Sequence, residues 1–251
     1  MELADNTVLI TGGATGIGYA MAEAFLDAGS RVIICGRRES RLEEARRQHP
    51  ALVTRRCDIS VEQDRLDLYS WIEDRFDDLN VLINSAGIQR DIDFSGGLTD
   101  FLSGENEIRV NLEAPIILTG LFAPLLSKNK GPVIINISSG LGFVPAVTMP
   151  VYSATKAGMH AFSMAIRPQM AGIGIQVFEV VPPAIDTELN PEGRAKRGHF
   201  KAGLGAQEFV SSVMQALESG VPEIGYGMTL RFLHASREEL DESFERMNQQ
   251  H

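Results

Sequence analysis

The sequence predicts an α/β protein built on a doubly wound parallel sheet. Short, near-continuous apolar runs alternate along the chain with longer segments of helical periodicity, which is typical of parallel strands covered by helices on both faces. The chain has 251 residues, 44% of them hydrophobic, and this is enough for one sizeable core. We therefore expect a single domain over residues 1–251.

The first predicted unit is a strand, a glycine-rich turn and a helix. Residues 7–11 (TVLIT) form a β-branched run, and the segment YAMAEAFLDAG has apolar residues at helical spacing. Between them, TGGATGIG contains Gly12, Gly16 and Gly18. Glycines at this point permit a tight turn and let the backbone approach a pyrophosphate at the helix N-terminus. The pattern indicates a dinucleotide site, with a plain strand-to-helix turn as the alternative.

The remaining elements continue the alternation. Further strands are predicted at residues 31–36, 53–59, 80–87, 132–139 and 175–181. Helices are predicted at 41–49, after a capping box of Ser60 and Gln63, at 104–128, at 151–170, and after a second capping box of Ser236 and Glu239. In the last helix Leu240, Phe244 and Met247 form one apolar stripe. Residues 184–205 lack clear periodicity, which indicates a long substrate loop.

Composition limits the partners and the location. The formal net charge is −10, so we expect no nucleic-acid partner and no anionic membrane surface. No apolar stretch approaches ~20 residues and the N-terminus lacks a basic leader, so we expect a soluble, cytoplasmic protein. Cys35 and Cys57 are the only cysteines, and we interpret them as buried thiols rather than as a redox pair. We expect no metal site.

The end of the second strand bears on the choice of cofactor. A carboxylate there would hydrogen-bond the adenosine ribose of NAD, but this chain has Gly36 followed by Arg37 and Arg38. No acid repels a 2′-phosphate and an arginine can pair with it, so NADP(H) is favoured over NAD(H). Arg38 can also be read as a solvated charge at a helix start. Asp58 has two open roles, acceptor for the adenine amino group or turn former before the next helix.

Tyr152 and Lys156 are four residues apart in a predicted helix. Such side chains share a helix face, with Cβ atoms about 5–6 Å apart. A phenol has a reference pKa near ~10, and a nearby fixed cation lowers it. We therefore expect Lys156 to make Tyr152 a usable proton donor and acceptor, and to reach ribose hydroxyls of a cofactor. Ser139, at the end of the fifth strand, can hydrogen-bond a substrate carbonyl.

Three further segments have candidate roles in binding the cofactor or the substrate. Asn84, Ala86 and Gly87 follow the fourth strand, where backbone lines the ribose and nicotinamide of a cofactor. Between Ser139 and Tyr152, the apolar residues form either a substrate wall or ordinary loop packing. These are Leu141, Phe143, Val144, Pro145 and Met149. The charges of the 184–205 loop sum to +1, which fits a solvated lid better than an anion site. His160, placed on the outer part of its helix, and His199, in the loop, add little.

These residues resemble, in order, those of the short-chain dehydrogenase/reductase family. The glycine turn, Asp58, the NSAG sequence, Asn111, Ser139 and the Tyr152-x-x-x-Lys156 pair carry the resemblance, which runs from about residue 5 to residue 190. It implies a Rossmann fold with seven strands in the order 3-2-1-4-5-6-7. It also implies a homodimer or homotetramer formed through the two long helices near 104–128 and 151–170.

The resemblance also implies a catalytic tetrad of Asn111, Ser139, Tyr152 and Lys156. In the family the tyrosine is general acid or base, the serine positions the carbonyl, the lysine lowers the tyrosine pKa, and the asparagine holds a water in a proton relay. Family cofactor contacts fall on Gly12, Thr15, Gly16, Ile17, Gly18, Arg37, Asp58, Ile59, Asn84, Ala86, Gly87, Tyr152, Lys156, Pro182 and Thr187. Two positions depart from the pattern: Ser85 replaces an asparagine, and Pro183 replaces a glycine.

A narrower resemblance is to the DltE-type oxidoreductases, through VIICGR, NVLINSAGIQRD, NISSGLGFVP, PVYSATKA and PPAIDT. Their name refers to D-alanyl esterification of teichoic acids and implies no substrate. The expected activity is reversible hydride transfer between NADP(H) and a small carbonyl compound or secondary alcohol. The alternative is a cofactor-sensing regulator without turnover. Such regulators typically lose the tyrosine or the lysine, and this chain keeps both.

Overall fold

Seven parallel strands form the central sheet of the computed structural model, which describes residues 1–196 and 204–249. Their bounds are Thr7–Thr11 (β1), Arg31–Gly36 (β2), Val53–Arg56 (β3), Val81–Asn84 (β4), Val133–Ile137 (β5), Gln176–Val181 (β6) and Glu223–Gly225 (β7). They lie in the order β3-β2-β1-β4-β5-β6-β7, and each neighbouring pair is parallel. This order confirms the predicted Rossmann topology.

Ten α-helices are found within the described ranges. They are Gly16–Asp27 (α1), Glu39–Gln48 (α2), Glu62–Arg75 (α3), Thr99–Leu102 (α4), Ala114–Leu126 (α5), Pro150–Ala171 (α6), Pro191–Lys196 (α7), Ala206–Glu218 (α8), Met228–Phe232 (α9) and Arg237–Asn248 (α10). A π-helical turn, Arg109–Glu113, leads into α5, and a 3₁₀ turn, Gly140–Gly142, follows β5.

The two faces of the sheet bury separate hydrophobic clusters. Because side chains alternate along a strand, Val8 and Ile10 of β1 enter one cluster and Leu9 enters the other. The first cluster includes Met21, Phe25, Phe209 and Val213 from α1 and α8. The second includes Leu68, Ile72, Leu118 and Phe122 from α3 and α5. Helices thus cover both faces, as the near-continuous apolar strands predict.

The most apolar helical stretch belongs to this core. Residues Arg109–Leu126 are long and apolar enough to cross a membrane by length and composition, but 56% of that stretch is buried inside the fold. The burial comes from packing against the sheet, for example through Leu118 and Phe122. This is the behaviour of a core helix.

Several predicted boundaries are wrong. The strands predicted to end at residues 59, 87 and 139 end at Arg56, Asn84 and Ile137. The capping box predicted at Ser60 and Gln63 is absent, because Ser60 hydrogen-bonds Asp58 and α3 begins one residue later than such a box requires. The helix predicted from residue 104 begins at residue 107, after Asn106, whose side-chain oxygen accepts from two backbone N–H groups of the first turn.

The C-terminal helix begins as predicted, whereas the segment predicted as a long loop contains regular elements. The capping box of Ser236 and Glu239 is present at the start of α10. The 184–205 segment contains α7 and two short parallel strands, Ile185–Asp186 and Leu204–Gly205. Residues 197–203, including Arg197, His199 and Lys201, lie outside the described residues.

Candidate active site

A cavity of about 1310 Å³ lies where the carboxyl ends of β1 to β6 meet. It is lined by the predicted residues Gly12, Thr15, Gly16, Ile17, Gly18, Arg37, Asp58, Ile59, Ala86, Gly87, Ser139, Tyr152, Lys156, Pro182 and Thr187. Asn84 and Asn111 are the two predicted site residues that do not line it. The sheet therefore brings together residues that are up to 175 positions apart in sequence, from Gly12 to Thr187.

The glycine turn leaves room for a ligand at the start of α1. Gly12 has φ +66°, and a Cβ there would lie 2.7 Å from Ala86 Cα. A Cβ at Gly18 would lie 2.6 Å from the Gly12 carbonyl oxygen. Thr15 makes no side-chain cap to α1, whose first turn carries no acidic residue, so its free N–H groups face the cavity. This cradle fits the pyrophosphate of a dinucleotide.

Arginines line the cavity beside the end of β2. Arg37 forms a two-pronged ion pair with Glu105, in which Nη2 lies 3.1 Å from Oε2, and its Nη1 is 3.9 Å from Asp58 Oδ2. Arg38 Nη1 donates to Glu188 Oε2 at 2.9 Å. Both arginines line the part of the cavity beside β2, where the adenosine end of a dinucleotide would lie.

Arg41 completes this basic group and was missed by the sequence reasoning. It lies in α2, three residues after Arg38, and it also pairs with Glu188. Because residues three apart share a helix face, the Arg38 and Arg41 spacing was the available signal. Both guanidinium groups therefore hold one carboxylate of the segment that follows β6.

Asp58 forms a turn before α3, which is one of the two roles that the sequence left open for it. Its Oδ1 accepts from the backbone N–H of Ser60 at 2.9 Å and from the Ser60 hydroxyl at 2.7 Å. The residue also lines the cavity. The turn thus fixes the carboxyl at the cavity edge, where an adenine amino group would be within its reach.

The two cysteines lie side by side at the same end of the sheet. Cys35 and Cys57 are both buried, as predicted. Hydrogen bonding to Cys57, together with burial, raises the pKa of the Cys35 thiol well above its ordinary value. A thiol with a raised pKa is a poor nucleophile and acts as a small apolar residue.

Tyr152 and Lys156 meet as the i, i+4 spacing predicts. Tyr152 is 6% exposed and Lys156 is 5% exposed. Lys156 Nζ lies 5.6 Å from the centre of the Tyr152 ring and donates to the Ile137 carbonyl oxygen at 2.8 Å. Ser139, which follows β5, has its Oγ held by the Leu141 N–H at 3.1 Å. All three side chains line the same cavity.

Burial reverses the expected pKa shift of the tyrosine. It raises the pKa of Tyr152 to about 12, while hydrogen bonding with Ser139 lowers it, the Glu107 charge raises it and the Arg194 charge lowers it. Burial also lowers the pKa of Lys156 to about 8, against the attraction of Glu179. The sequence prediction of a lowered phenol pKa is therefore wrong, since it considered the cation but not the desolvation.

Asn111 and Asn84 are buried behind the cavity wall. Asn111 Oδ1 accepts from the Ile88 N–H at 2.9 Å, and its Nδ2 donates to the Ile88 carbonyl at 2.8 Å and to Thr155 Oγ1 at 3.2 Å. It thereby ties the loop after β4 to α6. Asn84 Nδ2 instead donates to Asn136 Oδ1 on the neighbouring strand at 2.9 Å, which places this side chain within the sheet layer.

The substrate end of the cavity has walls from two parts of the chain. Leu141, Val144 and Met149 line it, whereas Phe143 packs against His160 with ring centroids 4.5 Å apart. Part of the apolar segment therefore forms a wall of the cavity, and part of it is ordinary loop packing. The second wall was missed by the sequence reasoning and comes from Met228, Phe232, Arg246, Met247 and Asn248.

Asn248 joins these two walls. Its Nδ2 donates to the Pro145 carbonyl oxygen at 3.1 Å, and its Oδ1 accepts from the Val147 N–H at 3.0 Å. The end of α10 is thereby fixed to the segment that precedes Tyr152. No periodicity in the sequence could show this contact, because it depends on where the C-terminal helix crosses the sheet.

Glu107 is a buried carboxylic acid next to the site. Its titration makes the stability of the fold depend on pH. It is 1% exposed, and burial raises its pKa from 4.5 to about 7. A carboxyl with a raised folded-state pKa stabilises the fold below its unfolded pKa, and that stability is lost as pH rises towards 7. We expect the stability of Glu107→Gln relative to wild type to rise by about 2–3 kcal/mol between pH 4.5 and 7.5.

Urea denaturation at a series of pH values measures this difference. Glu113→Gln, at an exposed position two turns further along, is the matched control and should show no such trend. A constant difference between Glu107→Gln and wild type across this range would contradict the assignment.

The fold and the cavity define a class of protein, a dinucleotide-binding α/β oxidoreductase with a serine, a tyrosine and a lysine at the reacting end. The sequence model of the short chain dehydrogenase family matches residues 6–198. The chain therefore belongs to the short-chain dehydrogenase family and is an oxidoreductase.

Known relatives agree with this membership. The chain is 41% identical over 250 residues to the uncharacterized oxidoreductase DltE of Bacillus subtilis, covering 100% of this chain and 99% of that protein. It is 31% identical over 220 residues to an uncharacterized oxidoreductase of Staphylococcus epidermidis, covering 86% of this chain and 92% of that protein. It is thus a family member close to DltE.

Solved structures share the fold. A short-chain dehydrogenase from Burkholderia cenocepacia in complex with NADP has a TM-score of 0.81 and 27% identity, with coverage of 97% of this chain and 99% of that chain. A short-chain dehydrogenase/reductase from Burkholderia phymatum in complex with NAD has a TM-score of 0.83, 18% identity, and coverage of 97% and 96%. Both of these neighbours hold a nicotinamide dinucleotide.

Proposed function

We propose that this protein is an NADP(H)-dependent oxidoreductase that interconverts a small carbonyl compound and its secondary alcohol, with Tyr152 as general acid or base. The observation that carries the proposal is the meeting of the Ser139 hydroxyl, the Tyr152 phenol and the Lys156 ammonium on one cavity wall. The same cavity contains the glycine turn at the start of α1. Proton transfer and dinucleotide binding thus have adjoining sites.

In the direction of reduction, Tyr152 donates its phenolic proton to the carbonyl oxygen. A phenol whose pKa is about 12 is fully protonated at pH 7, so this structure favours the acid role. Ser139 Oγ hydrogen-bonds the same oxygen and shares the negative charge that develops there. Lys156, with a pKa of about 8, is roughly 90% cationic at pH 7 and stabilises the phenolate that remains.

The nicotinamide cofactor, when bound, supplies or accepts the hydride. The residues that fit it are the glycine turn for the pyrophosphate, Asp58 for the adenine, and Ala86, Gly87, Pro182 and Thr187 around the nicotinamide ribose. Asn111 acts through Ile88 and Thr155, which it holds in place. These assignments rest on position in the cavity and on the family resemblance.

The NADP(H) preference is supported by the charge at the end of β2. Gly36 stands where an acid would select NAD, and Arg37, Arg38 and Arg41 line the cavity beside it. Of the solved relatives above 25% identity, the Burkholderia cenocepacia protein is in complex with NADP and a Sphingobium yanoikuyae dehydrogenase, at 26% identity, with NADPH. A 2′-phosphate that bound Arg37 would displace the Glu105 carboxylate, and one that bound Arg38 would displace the Glu188 carboxylate.

Replacing Arg37 with alanine is expected to weaken NADPH binding about ten- to a hundredfold and to leave NADH binding within about threefold. The reason is the loss of one charge-assisted contact to the 2′-phosphate, which is worth ~1.5–3 kcal/mol. Fluorescence titration with both cofactors measures this change. Arg46→Ala, at an exposed position of α2 outside the cavity lining, is the matched control. An equal loss for NADPH and NADH would remove Arg37 from the phosphate role.

The overall function is tested by NADPH oxidation with a panel of aldehydes and ketones. Turnover of any of them supports the enzyme and defines the substrate class. Tight NADPH binding without turnover across the panel would favour the regulator that the sequence leaves as an alternative.

We further propose a homodimer or homotetramer in the cytoplasm, formed through α5 and α6. Ile116 on α5 and Met164 on α6 are exposed apolar side chains on the outer faces of these helices. Covering them would remove apolar area from water. Light scattering of the purified protein distinguishes the two assemblies from a monomer.

A further inference from the structure

Glu179 and His160 form a buried pair between β6 and α6. Glu179 is 0% exposed, and its Oε2 lies 2.8 Å from His160 Nδ1. Its other oxygen, Oε1, is buried and has no hydrogen-bond partner among the described residues. Burying a carboxyl group with only one of its oxygens hydrogen-bonded is unfavourable. Because the surroundings of this group have a low dielectric constant, its charge also acts more strongly on nearby charges.

Lys156 lies at the same contact between helix and sheet. It precedes His160 by four residues, so the two side chains share one face of α6, with Cβ atoms about 5–6 Å apart. Lys156 Nζ is held by the Ile137 carbonyl oxygen, and Ile137 pairs in the sheet with Val180, the residue after Glu179. The attraction of Glu179 raises the pKa of Lys156 and opposes the larger effect of burial.

We propose that Glu179 is a positioning residue for the reaction, which keeps Lys156 cationic, while His160 fixes the Glu179 carboxylate. This inference rests on the proposed role of Lys156 in proton transfer. It corrects the sequence interpretation of His160 as an outer residue of little consequence, because the imidazole points to the sheet.

The other charged groups at this contact have different partners. Glu223 of β7 pairs with Arg167 of α6 at 3.0 Å, and Arg167 follows His160 in α6 whereas Lys156 precedes it. Hydrogen bonding to Glu179 raises the pKa of His160 and burial lowers it, while the Glu223 charge raises it and the Arg167 charge lowers it to a smaller extent. Tyr152 is the other titratable group next to Lys156. In register with Glu179, β5 presents the uncharged Asn136.

The test measures Lys156 directly in the full-length protein. The chain has five lysines, so the ¹⁵N-labelled side-chain signals can be resolved, and Lys156→Arg identifies the one that belongs to Lys156. We expect wild-type Lys156 to titrate near pH 8 and Glu179→Gln to lower this midpoint by about one pH unit. Glu223→Gln, which removes a carboxylate from the neighbouring strand, should shift it by less than about 0.3 units.

The pH profile of carbonyl reduction is the second readout. Because Lys156 loses its charge as pH rises, wild-type activity should fall through about pH 8, and in Glu179→Gln this fall should occur about one unit lower. A merely structural role for Glu179 would reduce activity at every pH without moving the midpoint.

The outcomes separate this inference from the proposed function. An unchanged Lys156 titration in folded Glu179→Gln overturns the inference even if the protein is an active reductase. A lowered titration without any turnover supports the electrostatic coupling and contradicts the proposed function instead. Should Glu179→Gln fail to fold, Glu179→Met removes the same charge with a side chain of similar size that needs no hydrogen-bond partner, and an unchanged Lys156 titration in this variant would equally overturn the inference.

Discussion

Replacing Tyr152 with phenylalanine should reduce carbonyl reduction by about 10²–10⁴-fold, the usual contribution of a positioned general acid. The change removes only the phenolic oxygen. The ring is buried with Ala146 and Met149, and phenylalanine can make the same contacts. We therefore expect cofactor affinity to stay within about threefold of wild type, a change of less than ~0.7 kcal/mol.

Steady-state kinetics with NADPH and the best carbonyl substrate, together with a cofactor titration, measure both effects. Tyr226→Phe is the matched control, because the Tyr226 hydroxyl donates to Glu208 and the residue lies outside the cavity lining. It should retain wild-type turnover. If Tyr152→Phe were as active as Tyr226→Phe, the proposal that Tyr152 transfers the proton would be wrong. If Tyr152→Phe lost cofactor affinity together with turnover, the loss of turnover could not be assigned to proton transfer.

The parts of the fold that depend on short-range pattern were predictable from the sequence. β1 and β2 have the predicted bounds, since TVLIT and RVIICG each contain a short, mostly β-branched apolar run and are followed by turn-forming residues. The predicted ends of β3, β4 and β5 were too late. After β3, Cys57 and Ile59 are still buried although the chain has left the ladder, and burial alone therefore does not mark where a strand ends.

Site residues were predictable where a sequence motif fixes their place at the end of a strand or on one face of a helix. The glycine turn, Ser139, Tyr152 and Lys156 each follow a strand or share a helix face, so the parallel topology brings them together. Asn248 and Glu107 were not identified in this way. Their places depend on where a helix crosses the sheet and on how it is rotated, and neither is encoded in local spacing.

The sign of the Tyr152 pKa shift shows the same limit. Sequence spacing indicates that an ammonium lies near the phenol, and the structure has it 5.6 Å from the ring centre. Spacing does not indicate how completely both groups are buried, and burial decides the sign. The pairing of Glu179 with His160 likewise depends on the register of β6 and the rotation of α6.

Gly18→Ala should weaken cofactor binding by roughly 10²-fold and lower the thermal stability. The third residue of α1 is an otherwise favourable place for alanine, since alanine has the higher helix propensity. Here, however, the new Cβ would lie 2.6 Å from the Gly12 carbonyl oxygen, which is backbone and cannot rotate away. The start of α1 has to move away from the glycine turn, and losing about two hydrogen bonds to the pyrophosphate at ~1.5 kcal/mol each weakens binding by about 10²-fold.

The same exchange in another helix gives the matched control. Gly120 lies within α5, and a Cβ built there meets nothing within 4 Å among the described residues. Gly120→Ala should therefore raise the stability by about 0.5–1 kcal/mol and leave NADPH binding unchanged. The melting temperatures of the two variants should move in opposite directions, and only Gly18→Ala should show weaker binding in the NADPH titration. Wild-type affinity in Gly18→Ala would mean that the cofactor does not depend on the close approach of α1 to the glycine turn.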